Sequence, residues 1–214
     1  QVAVRSLRGG LTAEDSSMEG KLAHLRAIDR FPVSTQTTHN WLNGARNFGA
    51  NRSGGRLHAA NDLKQAVGVE VVALTDLRVE ATGNFYMGTC KVETINPATG
   101  LVFRYGETEC ASSAVPTRGA NYSKGEVLTK IGRLTSGNSM LHFELYRGGL
   151  NGQTLSGSLS SANPPYKRRA DLLDPSCFTC LWEKATFGSN KYDMCSSQPM
   201  DACQLSGPGA NLNF

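Results

Sequence analysis

Imidazole is scarce in this chain. Four histidines stand among 214 residues, so chemistry built on histidine must draw on His24, His39, His58 and His142. Aromatic residues make up only 7% and do not interleave with Lys and Arg, which argues against a stacking surface for nucleic acid. No apolar run approaches the roughly eighteen residues of a membrane span, so a membrane-spanning segment is excluded and a soluble protein is expected. No internal repeat is evident. The charge balance is mild, 22 basic against 18 acidic residues for a net +4. Such a charge gives a screened attraction to polyanionic surfaces. Its expected sources are Lys167-Arg168-Arg169 and the run Arg46, Arg52 and Arg56. The chain begins at Gln1 with no charged-then-apolar leader, as expected of a mature secreted chain whose signal has been removed.

Two of the histidines lie in informative segments. GRLHAANDL, ending at Leu63, offers His58 and Asp62; MLHFELY, Met140 to Tyr146, offers His142. Two imidazoles and a carboxylate are a three-ligand set for one zinc ion, leaving a fourth position for water. The second segment alternates as a strand does. Met140, His142 and Glu144 share one face, and Leu141, Phe143 and Leu145 share the other, so a site is expected on a packed sheet. Met140 is a poor zinc ligand beside imidazole and carboxylate and reads as a wall of that site.

The remaining pattern is that of many short strands with Gly-rich turns, an all-β class. Strands are expected at Val69–Leu74, Leu77–Ala81, Thr89–Ile95, Leu101–Tyr105 and Met140–Tyr146, with the third and fourth joined as a hairpin through Asn96 to Gly100. A capping-box pattern from Thr12 to Asp15, followed by Leu22, Leu25 and Ile28 at helical spacing, predicts one helix from about Ala13 to Asp29, ended by Pro32. His24 rides on that helix as a packing or surface residue. Asn151 to Pro165 is polar and rich in Gly and Ser, an exposed loop. The organisation expected is an N-terminal helical appendage over 1–40, a core over 41–176 and a Cys-rich extension over 177–214 packed on the same domain.

Six cysteines, an even number, suit an oxidising compartment. Cys177, Cys180, Cys195 and Cys203 are too widely spaced for the usual zinc knuckle, so disulfides are the preferred reading, although a structural zinc stays open. Cys90 and Cys110 flank the hairpin and are expected to pair, leaving the tail cysteines to pair among themselves. Two sequons, at Asn51 and Asn121, would carry glycans in a eukaryotic secretory route.

The two histidine segments resemble the signature of the zinc peptidoglycan endopeptidases of the lysostaphin and β-lytic metallopeptidase group, HxxxD followed by HxH on a later strand. The resemblance extends to RLHAANDLKQAVGVEVVAL, LRVEATG, SKGEVLTKIGRL and ADLLDP, about Trp41 to Pro175. It implies a compact antiparallel β domain with an open groove, His58, Asp62 and His142 as ligands of one zinc, and hydrolysis of Gly- or D-Ala-containing peptide cross-links in bacterial walls. A secreted, monomeric enzyme without nucleic-acid or membrane partners is the resulting expectation. Two departures fall on the family's other histidines. Met140 stands where HxH begins, and FRYGE puts Glu107 where an intermediate strand carries His. A carboxylate can take a proton from water and pass it to a leaving amine, which makes Glu107 the candidate base. Glu144 is second for that role and preferred as a partner orienting a ligand histidine. A catalytically silent wall-binding protein and a zinc hydrolase of other Gly-rich substrates remain alternatives.

Overall fold

The computed structural model of the protein describes residues 16–150, 154–155, 165–191 and 203–205. Its elements run α1 (Met18–Ala27), β1 (Asn61–Lys64), β2 (Glu70–Val72), β3 (Leu77–Asn84), β4 (Cys90–Ile95), β5 (Val102–Thr108), β6 (Asn121–Tyr122), β7 (Val127–Lys130), β8 (Met140–Tyr146), β9 (Leu172–Leu173) and α2 (Ser176–Phe187). The main sheet has the order β1-β8-β5-β4-β3-β6, and β9 extends the β1 side of β8. All its pairings are antiparallel. β2 and β7 form a separate two-stranded ribbon.

The alternation of MLHFELY makes β8 the organiser. Leu141, Phe143 and Leu145 are fully buried in the main core with Phe103 and Tyr105 of β5. The opposite face carries His142 and Glu144. The hairpin of β4 and β5 turns through Asn96 to Gly100, where the Asn96 side chain accepts from both Thr99 N–H and Thr99 Oγ1, each at 2.8 Å. Gly100 takes the positive φ of +75° that this turn requires.

The helices differ from the sequence expectation. α1 is shorter than predicted, because Ser17 caps it by accepting from Gly20 N–H at 2.9 Å; the Thr12 to Asp15 box lies outside the described residues. Ser176–Phe187, expected only as part of a disulfide-rich tail, forms α2. Its apolar residues Cys177, Phe178, Leu181 and Trp182 are buried in the same core as Leu25, Phe31 and Trp41. Trp182 Nε1–H donates to Leu25 O at 2.8 Å, so its one polar atom is satisfied inside the core.

Cys90 is joined to Cys110 and Cys177 to Cys203, and Cys180 is disulfide-bonded as well. Cys195 lies outside the described residues. The two bridges close separations of 20 and 26 residues, a size that stabilises by about 2–4 kcal/mol each. Thiol titration of the unfolded, unreduced protein is expected to find none, and full reduction to lower the melting temperature by several degrees. Free thiols in the unreduced protein, or an unchanged melting temperature on reduction, would contradict the pairing.

Candidate metal centre

Strand register assembles the cluster. In the ladder of β1 against β8, Asp62 stands directly opposite His142, so the two side chains share one face of the sheet. His58 comes from the loop entering β1, four residues before Asp62. One ligand atom from each of the three lies within 4.8 Å of the others. Asp62 Oδ1 is 3.1 Å from His58 Nε2 and 3.0 Å from His142 Nδ1, and the two ring nitrogens are 3.3 Å apart. Ligands about 2.0–2.2 Å from a tetrahedral zinc stand about 3.3–3.6 Å from one another, so a small outward adjustment would admit the ion. The donor set of two imidazoles and one carboxylate fits zinc.

Each imidazole is also aimed from behind. His58 Nδ1 lies 2.9 Å from Asn47 O, and His142 Nε2 lies 2.8 Å from Glu144 Oε1. Such partners leave the opposite nitrogen to carry a lone pair toward the cluster. Burial disfavours the charged form of His142, but hydrogen bonds to Asp62 and Glu144 outweigh it and hold the imidazolium up to about 9. Burial pushes His58 the other way, below its ordinary value. Asp62 is held well below the usual carboxylate range; burial opposes this, and the two histidines win. A bound cation would replace the proton held in this cluster.

Behind Glu144 lies a buried charge cluster. Arg104 and Glu144 are both fully buried. Arg104 Nη1 donates to Glu144 Oε2 at 3.0 Å, and its Nη2 to Glu93 Oε1 at 2.8 Å. Arg168 Nε donates to Glu144 Oε1 at 2.8 Å, and Tyr146 O–H donates to Glu144 Oε2. Burial favours protonation of Glu144, but Arg104 and Arg168 together hold it well below its ordinary value. The sequence expectation for Lys167-Arg168-Arg169 needs correction here. Arg168 and Arg169 are not solvated surface cations but are buried, paired with Glu144 and Asp171.

Glu107 sits in an irregular stretch of β5. Cys90 of β4 faces Thr108 and Lys91 faces Gly106, so Glu107 is the extra residue of a β-bulge. Its φ is +62°, a left-handed conformation that costs a non-glycine residue about 1–2 kcal/mol. Three features secure it. Gly132 N–H donates to Glu107 O at 2.9 Å, and a Cβ on Gly132 would meet Thr108 O at 2.6 Å. Beyond the bulge the chain is tied back by Cys90–Cys110. Gly106 faces His142 across the ladder and leaves room for Phe85, whose ring would lie 2.6 Å from a Cβ there and whose centroid is 5.2 Å from that of His142. The bulge turns the Glu107 carboxyl into a cavity shared with His58, Asp62 and His142. Its Oε2 is buried without a hydrogen-bond partner, and burial pushes the group up to about 7.

The cavity has a volume of about 600 Å³ and opens to solvent. Met140 forms part of its wall, and Tyr86, on the turn after β3, forms an exposed lip. His24 is placed away from it, 3.1 Å from Thr75 Oγ1. His39 stands beside Thr38 on the surface. Asn51 and Asn121 are both exposed. The sequence reading did not single out Phe85 or Arg104; a lone Arg within the apolar alternation of β5 was the available signal for the latter.

No family model and no curated protein matches the chain. Solved structures do. The chain is similar to the antimicrobial peptidase lysostaphin from Staphylococcus simulans at 15% identity and a TM-score of 0.48, over 79% of this chain and 60% of that one. It is similar to a mutant catalytic domain of the prophage-encoded protein EnpA from Enterococcus faecalis at 25% identity and 0.39, over 55% and 92%. It is similar to a zinc containing peptidase from Vibrio cholerae at 23% identity and 0.41, over 56% and 36%. These structural neighbours include the group that the HxxxD and β8 motifs resemble.

Proposed function

We propose that the protein is a secreted zinc endopeptidase that hydrolyses peptide cross-links of bacterial peptidoglycan, at Gly- or D-Ala-containing bonds. The observation that carries this reading is the placement of His58, Asp62 and His142 within 4.8 Å of one another at the floor of an open cavity that also holds the Glu107 carboxyl. His58, Asp62 and His142 would hold one zinc. When bound, zinc supplies Lewis-acid polarisation of a carbonyl and acidification of water near pH 7.

The chain's own residues supply the rest. Glu107, held near neutrality by its burial, suits the two tasks of a peptidase base: it takes a proton from water and returns it to the leaving amine. Glu144 holds His142 in orientation. The disulfides support an oxidising, extracytoplasmic location. Among the described residues no helix is long and apolar enough to cross a membrane. The exposed Asn51 and Asn121 are the sites where glycans would attach in a eukaryotic host. A single chain holds the whole cluster and needs no partner subunit for it.

A second reading, a wall-binding protein without turnover, is favoured by Met140 where the resembled family has a histidine. One experiment separates the two. The purified protein is expected to bind one zinc per chain and to clear a suspension of bacterial walls, releasing new amino termini that a chelator suppresses. Zinc at one equivalent with walls bound but no new amino termini would establish the silent binder. Absence of zinc would remove both the metal and the peptidase.

A further inference from the structure

The loop between Asn51 and Leu57 is a narrow hairpin. Asn51 and Leu57 pair as a β-bridge, and Arg52 N–H donates to Arg56 O at 2.8 Å. Gly54 and Gly55 make its tip possible, with φ of +70° and +69°. The consequence is that Arg52 and Arg56 stand on facing arms of one loop, and both line the cavity of the metal cluster. Two guanidinium groups are thereby brought together beside the site.

The other cations of this cavity are already committed. Lys91 is paired with Glu93, and Arg168 with Glu144. Arg52 has only a weak hold on the cluster: its Nη2 is 3.4 Å from Asp62 Oδ2, long for a charge-assisted contact. That contact is to the Asp62 oxygen other than the one facing His58 and His142. A cation bound to Asp62 would weaken the attraction this carboxylate exerts on Arg52 and would leave the guanidinium to face the cavity beside Arg56. The cavity then carries an excess of positive charge that Asp62 and Glu107 do not cancel.

On this basis we propose that Arg52 and Arg56 form an anion subsite that takes a free carboxylate of the peptide substrate, close to the bond being cut. The proposal rests on the peptidase reading above and deepens it: the preferred substrate is a peptide bearing an ionised carboxylate, not a neutral Gly-rich chain. Guanidinium groups bind carboxylates through paired, directional N–H donors, and two on one loop fix the position of the bound group. Arg52 and Arg56 act here as specificity-determining residues and are not placed at the reacting atoms.

The test uses two Gly-rich peptides of one sequence, one ending in a free carboxylate two residues beyond the Gly–Gly bond and one ending in the amide. Binding of both to the zinc-loaded, full-length Glu107→Gln protein is measured by calorimetry, so that turnover does not interfere. The acid is expected to bind about tenfold more tightly than the amide. In the Arg52→Gln and Arg56→Gln backgrounds the two peptides should bind within about twofold of each other, whereas Arg56→Lys should keep part of the difference. Equal affinity of acid and amide, no binding of the acid, or a preference that survives both Gln substitutions would overturn the subsite. Turnover of the same peptides by the unmutated, zinc-loaded protein is scored separately. A carboxylate preference in binding without cleavage would leave the subsite standing and remove the peptidase.

Discussion

Replacing Glu107 by Gln is expected to lower peptide turnover on the order of 10²–10⁴-fold, leave zinc content unchanged and make the folded protein more stable near neutral pH. The loss of rate follows from the carboxyl's place in the cavity of His58, Asp62 and His142. Gln keeps the shape but cannot carry the proton. The gain in stability has a separate origin. Burial raises the Glu107 carboxyl from its ordinary value to about 7. Between roughly pH 4.5 and pH 7 the unfolded chain therefore releases this proton while the folded chain retains it, and this group's contribution to stability falls as pH rises through that window.

Gln has no such proton. Its advantage over the parent should grow by up to about 1.4 kcal/mol per pH unit across the window and then level off. Urea denaturation of the metal-free parent and variant at several pH values measures the difference directly, since groups common to both cancel. Parallel stability profiles would show that Glu107 is not held protonated, and near-full turnover in the variant would move the base elsewhere. Glu144 is the other carboxyl to consider, but His142, Arg104, Arg168 and Tyr146 already bind both of its oxygens.

Glu144→Gln is expected to act through stability and metal affinity together. The amide removes the negative charge between Arg104 and Arg168; Arg104 keeps Glu93, but Arg168 loses its carboxylate, and a buried charge left without its partner costs about 3–5 kcal/mol. It also weakens the acceptor that orients His142, a change that typically lowers metal affinity about 10–100-fold. Competition with a chromogenic chelator gives the affinity, and denaturant midpoints give the stability. Glu107→Gln serves as the reference, because Glu107 lines the cavity with His142 but is not the hydrogen-bond partner of its ring, as Glu144 is. Zinc affinity unchanged to within about twofold in Glu144→Gln would mean that His142 needs no orienting carboxylate.

The sequence carried some of this plainly and some of it not at all. The strict alternation of Met140 to Tyr146 announced β8 and separated its core face from its polar face, and the Asn-Pro turn marked the hairpin of β4 and β5. β1 was not legible as a strand: Asn61–Lys64 has one apolar residue, Leu63, and its strand character comes from pairing with β8. α2 was hidden by its cysteines, which drew attention to bridges rather than to the helical spacing of Cys177, Phe178, Leu181 and Trp182. The bulge at Glu107 is marked in FRYGETEC only by a charged residue where strict alternation would continue the apolar face of Phe103 and Tyr105; the extra residue itself shows only in the register against β4. Burial of Arg168 depends on Glu144, a residue 24 positions earlier, and local composition cannot report such a distance.

The register of β1 against β8 has a consequence for how the native pairing is selected. Side chains alternate faces along a strand, so a slip of one residue would bring Asn61 or Leu63 opposite His142 and send Asp62 to the far side of the sheet. β1 has little apolar patterning of its own with which to resist such a slip. A metal ion that requires Asp62 and His142 on one face binds a single alignment and none of its neighbours, and its binding free energy is added to that alignment alone. Zinc would then act as a proofreader of the edge strand, penalising every mispaired form by the whole of its affinity.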